Sequence, residues 1–182
     1  EEELAPKLAA HEAVKAIKAN RNRPFFLYLA HWAPHTPLQA TQEDYDALAH
    51  IEDHTLRVYG AMIRALDRGV GEVLDALKQN GLEENTLVIF TSDNGGAHYI
   101  GLPEINEPYR GWKATFFGGG IRVPLFMKWP ARIEAGQEYR HPVHHFDIYA
   151  TVAAVAGTQV PDDRVVDGRN LLAVLDDKGA RI

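Results

Sequence analysis

Apolar residues follow two patterns along the chain. The first is a stripe that returns every three or four positions. Leu4, Leu8, Val14 and Ile17 recur among charges, which predicts an amphipathic helix over residues 3–19. Pro24 in "NRNRP" cannot sit inside it, so the helix must stop there. A longer helix is predicted over 53–79. Leu56, Tyr59, Ile63, Leu66, Val70, Val73, Leu74 and Leu77 hold one apolar face, and Asn80-Gly81 supplies the C-terminal stop. "TQEDYDAL" begins a short helix with Thr41 as N-cap and Asp44 three residues on. "HFDIYATVAAVAG" predicts a helix closed by Gly157, and "DGRNLLAVL" a last short one.

The second pattern is a short unbroken apolar run. "FFLYLA" (25–30), "NTLVIFTS" (85–92) and "VPLFMKW" (123–129, ended by Pro130) have the length and composition of strands buried on both faces. Between them lie "HWAPHTPLQA", which its prolines make a loop, and a Gly-, Pro- and Asn-rich loop from 94 to about 120. Helices alternating with continuous strands predict the α/β class, a sheet covered by helices on both faces.

Composition narrows the function without choosing it. With 182 residues, 46% of them hydrophobic and 24% charged, the chain is globular and amounts to one domain or a large piece of one. A net charge of -6 and the lack of a dense basic tract exclude a nucleic-acid binder. No apolar stretch approaches the roughly 20 residues of a membrane span. Cysteine is absent, which removes disulfides, thiolate metal sites and a Cys nucleophile. The opening "EEELAPKLAAHEAVKAIK" is charged and helical, unlike a secretory signal, and its abrupt start suggests a piece of a longer protein.

In α/β sheets ligands gather beyond the carboxyl ends of the strands, which puts His31, His35, Asp93, Asn94 and His98 near one rim. Asp93 and Asn94 in "TSDNGG" carry hard oxygen ligands suited to Ca²⁺ or Mg²⁺, although calcium takes about six to eight oxygens. The same dipeptide also suits an Asx turn with glycines at positive φ. His35 in "APHTPLQ" is aimed by a stiff backbone and could bind an anion or transfer a proton, or be a plain surface histidine. Lys113 in "RGWKATFFGGGIRVP" lies between Gly111 and a triple glycine, where backbone can approach a ligand closely while the ammonium supplies charge. The Gly-Lys-Ser/Thr order of a phosphate-binding loop is missing, and a solvated lysine is the alternative. His144 and His145 precede an apolar helix and would cap or bridge it.

Taken in order, "RPFFLYLAHWAPHTPLQ", "AMIRALDRGVGEVLDALKQNGLEENTLVIFTSDNGG" and "GWKATFFGGGIRVPLFMKWP" resemble the second half of the type I sulfatases. "HPVHHFDIYATVAAVAG" and "DGRNLL" resemble the segment that follows, so the likeness runs from about Arg23 to Leu175. The resemblance implies an alkaline-phosphatase-like α/β fold with a mixed sheet. It implies a Ca²⁺ ion, with Mg²⁺ as the alternative, beside a formylglycine whose hydrated aldehyde attacks the sulfur of a sulfate ester. Carried over by position, Asp93 and Asn94 are metal ligands, and His35 and Lys113 bind the sulfate group and serve catalysis. His98 lies where the loop 97–110 could face substrate, with no family role attached. The substrate implied is a sulfate-ester small molecule or a sulfated glycan, and the compartment periplasmic or extracellular.

The departures are large. The family's Cys/Ser-x-Pro-x-Arg motif is absent, since there is no cysteine and the single serine is Ser92. No early Asp pair completes the metal site, and Asp162-Asp163 and Asp176-Asp177 fall far downstream. The expectation is therefore one partial domain over 1–182, the C-terminal portion of a sulfatase catalytic domain. Its partner would be the N-terminal segment that carries the nucleophile. Two other readings stay open: a metal-dependent phosphoesterase of the same superfamily, and a degenerate, non-catalytic binding domain.

Overall fold

The computed structural model describes residues 5–176, so Glu3, Leu4 and Asp177 lie outside the described residues. Helices α1 (Ala5–Asn20), α2 (Gln42–Asp46), α3 (His54–Gln79) and α4 (Gly118–Ile121) and strands β1 (Val88–Thr91) and β2 (Leu125–Lys128) form one compact unit. Helices α5 (His145–Val155) and α6 (Leu171–Asp176) belong to a second, which begins at Arg132. The class is α/β, as the two hydrophobic patterns predict. Among the described residues no helix is long and apolar enough to cross a membrane.

The first unit is organised by α3. Asp53 caps its start by accepting a hydrogen bond from the Leu56 N–H at 2.8 Å. Asn80 caps its end, and Gly81 turns the chain away at φ 69°. Its apolar face packs against α1, where Ile17, Ala76 and Leu77 are buried and Val14, Phe25, Val73, Leu82 and Val88 close around them. Each fully buried Leu or Ile stabilises the pair by about 1.5–3 kcal/mol. The other anchor of α3 is polar. Thr41 caps α2 by accepting from the Asp44 N–H at 3.1 Å and donates back to Asp44 Oδ2 at 2.9 Å. The buried Asp44 carboxylate also takes a forked pair from Arg68 at 2.8 and 2.7 Å and a bond from Arg64 Nε at 3.1 Å. These donors, Arg68 first, outweigh burial and hold the Asp44 carboxyl at about 2.

The strands form an antiparallel ribbon in the register Val88↔Lys128, Ile89↔Met127, Phe90↔Phe126 and Thr91↔Leu125. Period-2 alternation puts Phe90 and Phe126 on one face with ring centroids 6.3 Å apart, and both rings are exposed. Each strand is shorter than its apolar run, because the pairing spans four residues.

A strand over 25–30 is predicted and is not formed: that stretch is irregular. A strand exists through hydrogen bonds to a neighbour, and no described strand runs beside this one. Phe25 packs into the core, while Phe26 and Tyr28 are 73% and 81% exposed.

In the second unit His144 caps α5. Its Nδ1 accepts from the Phe146 N–H, and Asp147 Oδ2 accepts from the His144 N–H at 2.6 Å. Buried Asp147 also accepts from the Arg169 N–H, and Thr151 Oγ1 accepts from the Leu171 N–H, which ties α6 to α5.

Candidate functional site

At the end of β1, Thr91 Oγ1 donates to the Pro124 carbonyl at 2.9 Å, and the chain then turns. Ser92 Oγ donates to the Asn94 carbonyl at 3.0 Å, and Asn94 Nδ2 donates to the Gly95 carbonyl at 2.9 Å. The amide nitrogen is thus used inside the turn, while Oδ1 meets no donor among the described residues. The Asp93 side chain is exposed and likewise meets no donor there. One anionic and one neutral oxygen are left open side by side, a donor set that suits a hard cation. No group of three or more His, Cys, Asp or Glu able to hold a metal occurs among the described residues.

The loop 110–120 is joined to this turn through main chain. Gly95 N–H donates to the Gly120 carbonyl at 3.0 Å, Lys113 N–H to Gly96 at 3.0 Å, and Gly119 N–H to Arg110 at 2.7 Å. Asn106 clamps both sides: its Oδ1 accepts from the Gly96 N–H at 2.7 Å, and its Nδ2 donates to the Gly96 and Gly111 carbonyls at 3.0 and 3.1 Å. A Cβ on Gly95 would fall on the Gly119 carbonyl oxygen, and one on Gly119 on the Gly111 carbonyl, far inside contact distance. Only glycine allows two backbones this close.

Lys113 is half-buried, and its ammonium makes no ion pair among the described residues. Ala114, next to it, takes the left-handed conformation at φ 69°. Trp112, just before it, meets the His98 imidazole at 5.1 Å between ring centroids with 34° between the planes. The structure therefore brings the backbone segments bearing Asp93, Asn94, His98 and Lys113 into one bonded assembly.

His35 stands on a different loop, between the cis Ala33-Pro34 and Thr36-Pro37 peptides. Its Nδ1 lies 2.8 Å from the Thr36 carbonyl. A carbonyl can only accept, so Nδ1 carries the hydrogen and Nε2 is left for an outside group. Its N–H donates to the Trp32 carbonyl, and its ring meets Trp32 edge-on at 5.3 Å. Among the described residues these contacts all stay within its own loop. His31 is half-buried with neither ring nitrogen hydrogen-bonded among the described residues, and burial pushes its pKa down.

Sequence reasoning missed Asn106, the Gly95–Gly119 contact and Trp112. The signal for Trp112 was its place one residue before the lysine. Asn106 reaches residues five and ten away, and the Gly95–Gly119 contact spans 24, so neither leaves a local pattern.

A family model described as Sulfatase matches residues 5–158. Steryl-sulfatase of Rattus norvegicus is 40% identical over 179 residues, covering 94% of this chain and 30% of that protein. The crystal structure of Ps i-CgsB in complex with k-i-k-neocarrahexaose superposes with a TM-score of 0.90 at 40% identity, covering 96% of this chain and 39% of that one. The phosphonate monoester hydrolase SpPMH from Silicibacter pomeroyi shares the fold, with a TM-score of 0.72 at 19% identity over 94% of this chain and 41% of that one. The chain thus spans about 30% of the length of the curated relative it matches.

Proposed function

The chain belongs to the sulfatase family, and from that premise we propose that it is part of a sulfuric ester hydrolase, contributing one half of a metal site and the groups that grip the sulfate. The observation that carries this reading is the main-chain junction between the turn at 93–96 and the loop at 110–120. It joins the backbone that carries Asp93 and Asn94 to the backbone that carries Lys113, whose ammonium has no ion pair among the described residues.

Asp93 and the Asn94 amide oxygen would hold a calcium-type ion, with Mg²⁺ as the alternative. The remaining ligands would come from polypeptide outside these residues. When bound, such an ion supplies positive charge against the oxygens of the sulfate ester. The family's nucleophile, a formylglycine, would also lie outside these residues, since residues 1–182 hold no cysteine and Ser92 lacks the motif. The periplasm or the extracellular space follows from the resemblance alone.

The work of this chain's own residues can be stated more closely. Lys113 would attract the sulfate oxygens in the ground state and more strongly in the transition state, where their charge grows. His35 presents Nε2 and would hold or release a proton there as the bridging oxygen gains charge. The substrate is a sulfate ester, either a small molecule or a sulfated glycan. The steryl-sulfatase relative and the neocarrahexaose complex of the structural neighbour support an alcohol that carries a ring.

Kinetics of the full-length protein test the reading. Lys113→Ala should raise KM as well as lower kcat, because it acts in both states. His35→Ala should lower kcat mainly, by roughly 10²- to 10³-fold, and flatten one limb of the pH–rate profile. If both variants keep kcat/KM within about threefold of wild type, neither residue touches the sulfate, and the site is elsewhere.

A further inference from the structure

Trp112 takes no part in the reading above, yet the loop fixes it with care. Its N–H donates to Thr115 Oγ1 at 3.1 Å, and its carbonyl accepts from Thr115 Oγ1 at 2.7 Å and from the Thr115 N–H at 3.0 Å. The indole is braced by His98, which itself meets Tyr99 edge-on at 6.1 Å. Even so, 44% of Trp112 stays exposed. The other rings of this loop are treated differently. Arg110 lies over Phe117 at 4.1 Å and Arg122 over Tyr109 at 4.8 Å, so those rings serve packing within the chain. Phe116 is 97% exposed and meets no ring or guanidinium among the described residues. Trp112 alone among them is held, braced by a second ring, and left without a guanidinium over it among the described residues.

A tryptophan on fixed backbone has two side-chain torsions to lose, so it offers a large flat surface at small entropic cost when a ligand covers it. That surface does nothing for a sulfate group, which is anionic and strongly hydrated. It suits the apolar face of a ring. Consecutive residues start about 3.8 Å apart, the scale that separates a sulfate from the ring it esterifies. With the sulfate on Lys113, Trp112 is the neighbouring side chain on the same backbone.

We infer that Trp112, backed by His98, is the wall that receives the ring of the sulfate ester's leaving alcohol, and so sets a preference for ring-bearing esters. This rests on the reading that Lys113 binds the sulfate. An aryl ring and a pyranose share the apolar face that such a wall recognises, so both are used as probes.

The test separates the two halves of the ligand in the full-length protein. 4-Nitrophenyl sulfate and galactose 6-sulfate report sulfate and ring together, while inorganic sulfate, as a competitive inhibitor, reports the sulfate alone. Trp112→Ala should raise KM for the ring esters roughly 5- to 10-fold and leave the sulfate Ki and kcat within about twofold. Trp112→Phe keeps a flat ring and should restore most of the loss. If KM is unchanged in Trp112→Ala, or if Ki rises as much as KM, the wall is overturned. A lowered Tm with unchanged KM also overturns it, because the indole then packs against the rest of the polypeptide. Which of the two esters responds more tells an aryl preference from a sugar preference. Lys113→Ala is the control for the underlying reading: it should raise Ki and KM together. An unchanged Ki there sinks the sulfate assignment, whatever Trp112→Ala does to KM.

Discussion

Asp44 and Asp93 are the same side chain in opposite circumstances. A carboxylate can accept about four hydrogen bonds. Asp44 takes them from Thr41, Arg64 and both terminal nitrogens of Arg68, all on its own chain and all while buried. Asp93 is exposed at the end of β1 and takes none among the described residues. Near Asp44 the chain meets every demand that it creates. At the rim it leaves an acid, an amide oxygen and an ammonium open among the described residues. The first pattern locks α2 to α3, and the second is what binding an outside ligand requires.

The contrast can be broken at several points. The largest effect is all or none: purified residues 1–182, assayed on a chromogenic aryl sulfate with calcium, should show no turnover, and activity above a heat-killed control would refute the proposed division of the site. In the full-length protein, Asp93→Ala should cost roughly 10²- to 10³-fold in kcat/KM with little change in Tm, as expected for lost charge stabilisation. Calorimetric titration with calcium should show weaker binding for Asp93→Ala than for Asn94→Ala, since the first removes a charge and the second a neutral oxygen. Equal binding by Asp93→Ala and wild type would make the turn merely structural.

Asp44→Ala should do the reverse. It should lower stability to urea by about 2–3 kcal/mol, because two half-exposed arginines lose a buried partner, while kcat of the folded enzyme stays unchanged. The same pair gives an acid dependence. The folded carboxyl is held at about 2 against an ordinary 3.8, so its stabilisation is complete above about pH 4 and drains away as pH falls toward 2. Comparing wild type with Asp44→Asn across that window should show the gap closing as pH drops. The smallest effect belongs to Thr41→Ala, which removes an N-cap worth about 1 kcal/mol. A loss of activity in that variant at full folding would blur the line between the two regions.

How far the sequence could be read depends on whether a feature is made by nearby residues. Thr41 reaches Asp44 three residues on, Asn80 and Gly81 end α3, and Gly157 follows α5, so these bounds agree within a residue or two, whereas α4 lies in the stretch read as a loop and α6 begins four residues after Asp167. The stretch 25–30 has the composition of a strand, but composition does not supply the neighbour that makes one. Asp93, Asn94 and Lys113 were visible through their glycine-rich surroundings, and the main-chain bond from Lys113 to Gly96 links their segments. His35 was visible too, yet its contacts are local and nothing in the described residues ties it to the rim. The arginine partners of Asp44 lie 20 and 24 residues away, and such distances leave no periodicity to detect.

The main-chain junction at Gly95, Gly119 and Gly120 separates what can change from what cannot. Because those contacts are made by carbonyls and amides, with the Asn106 side chain as their clamp, the side chains at 98 and 112 are not part of the joint. A mutant library that randomises positions 98 and 112 should keep a folded population and spread over many leaving groups. One that randomises 95 and 119 should yield almost no survivors. On the proposed function, new substrates should be reached by swapping the fittings of a fixed socket.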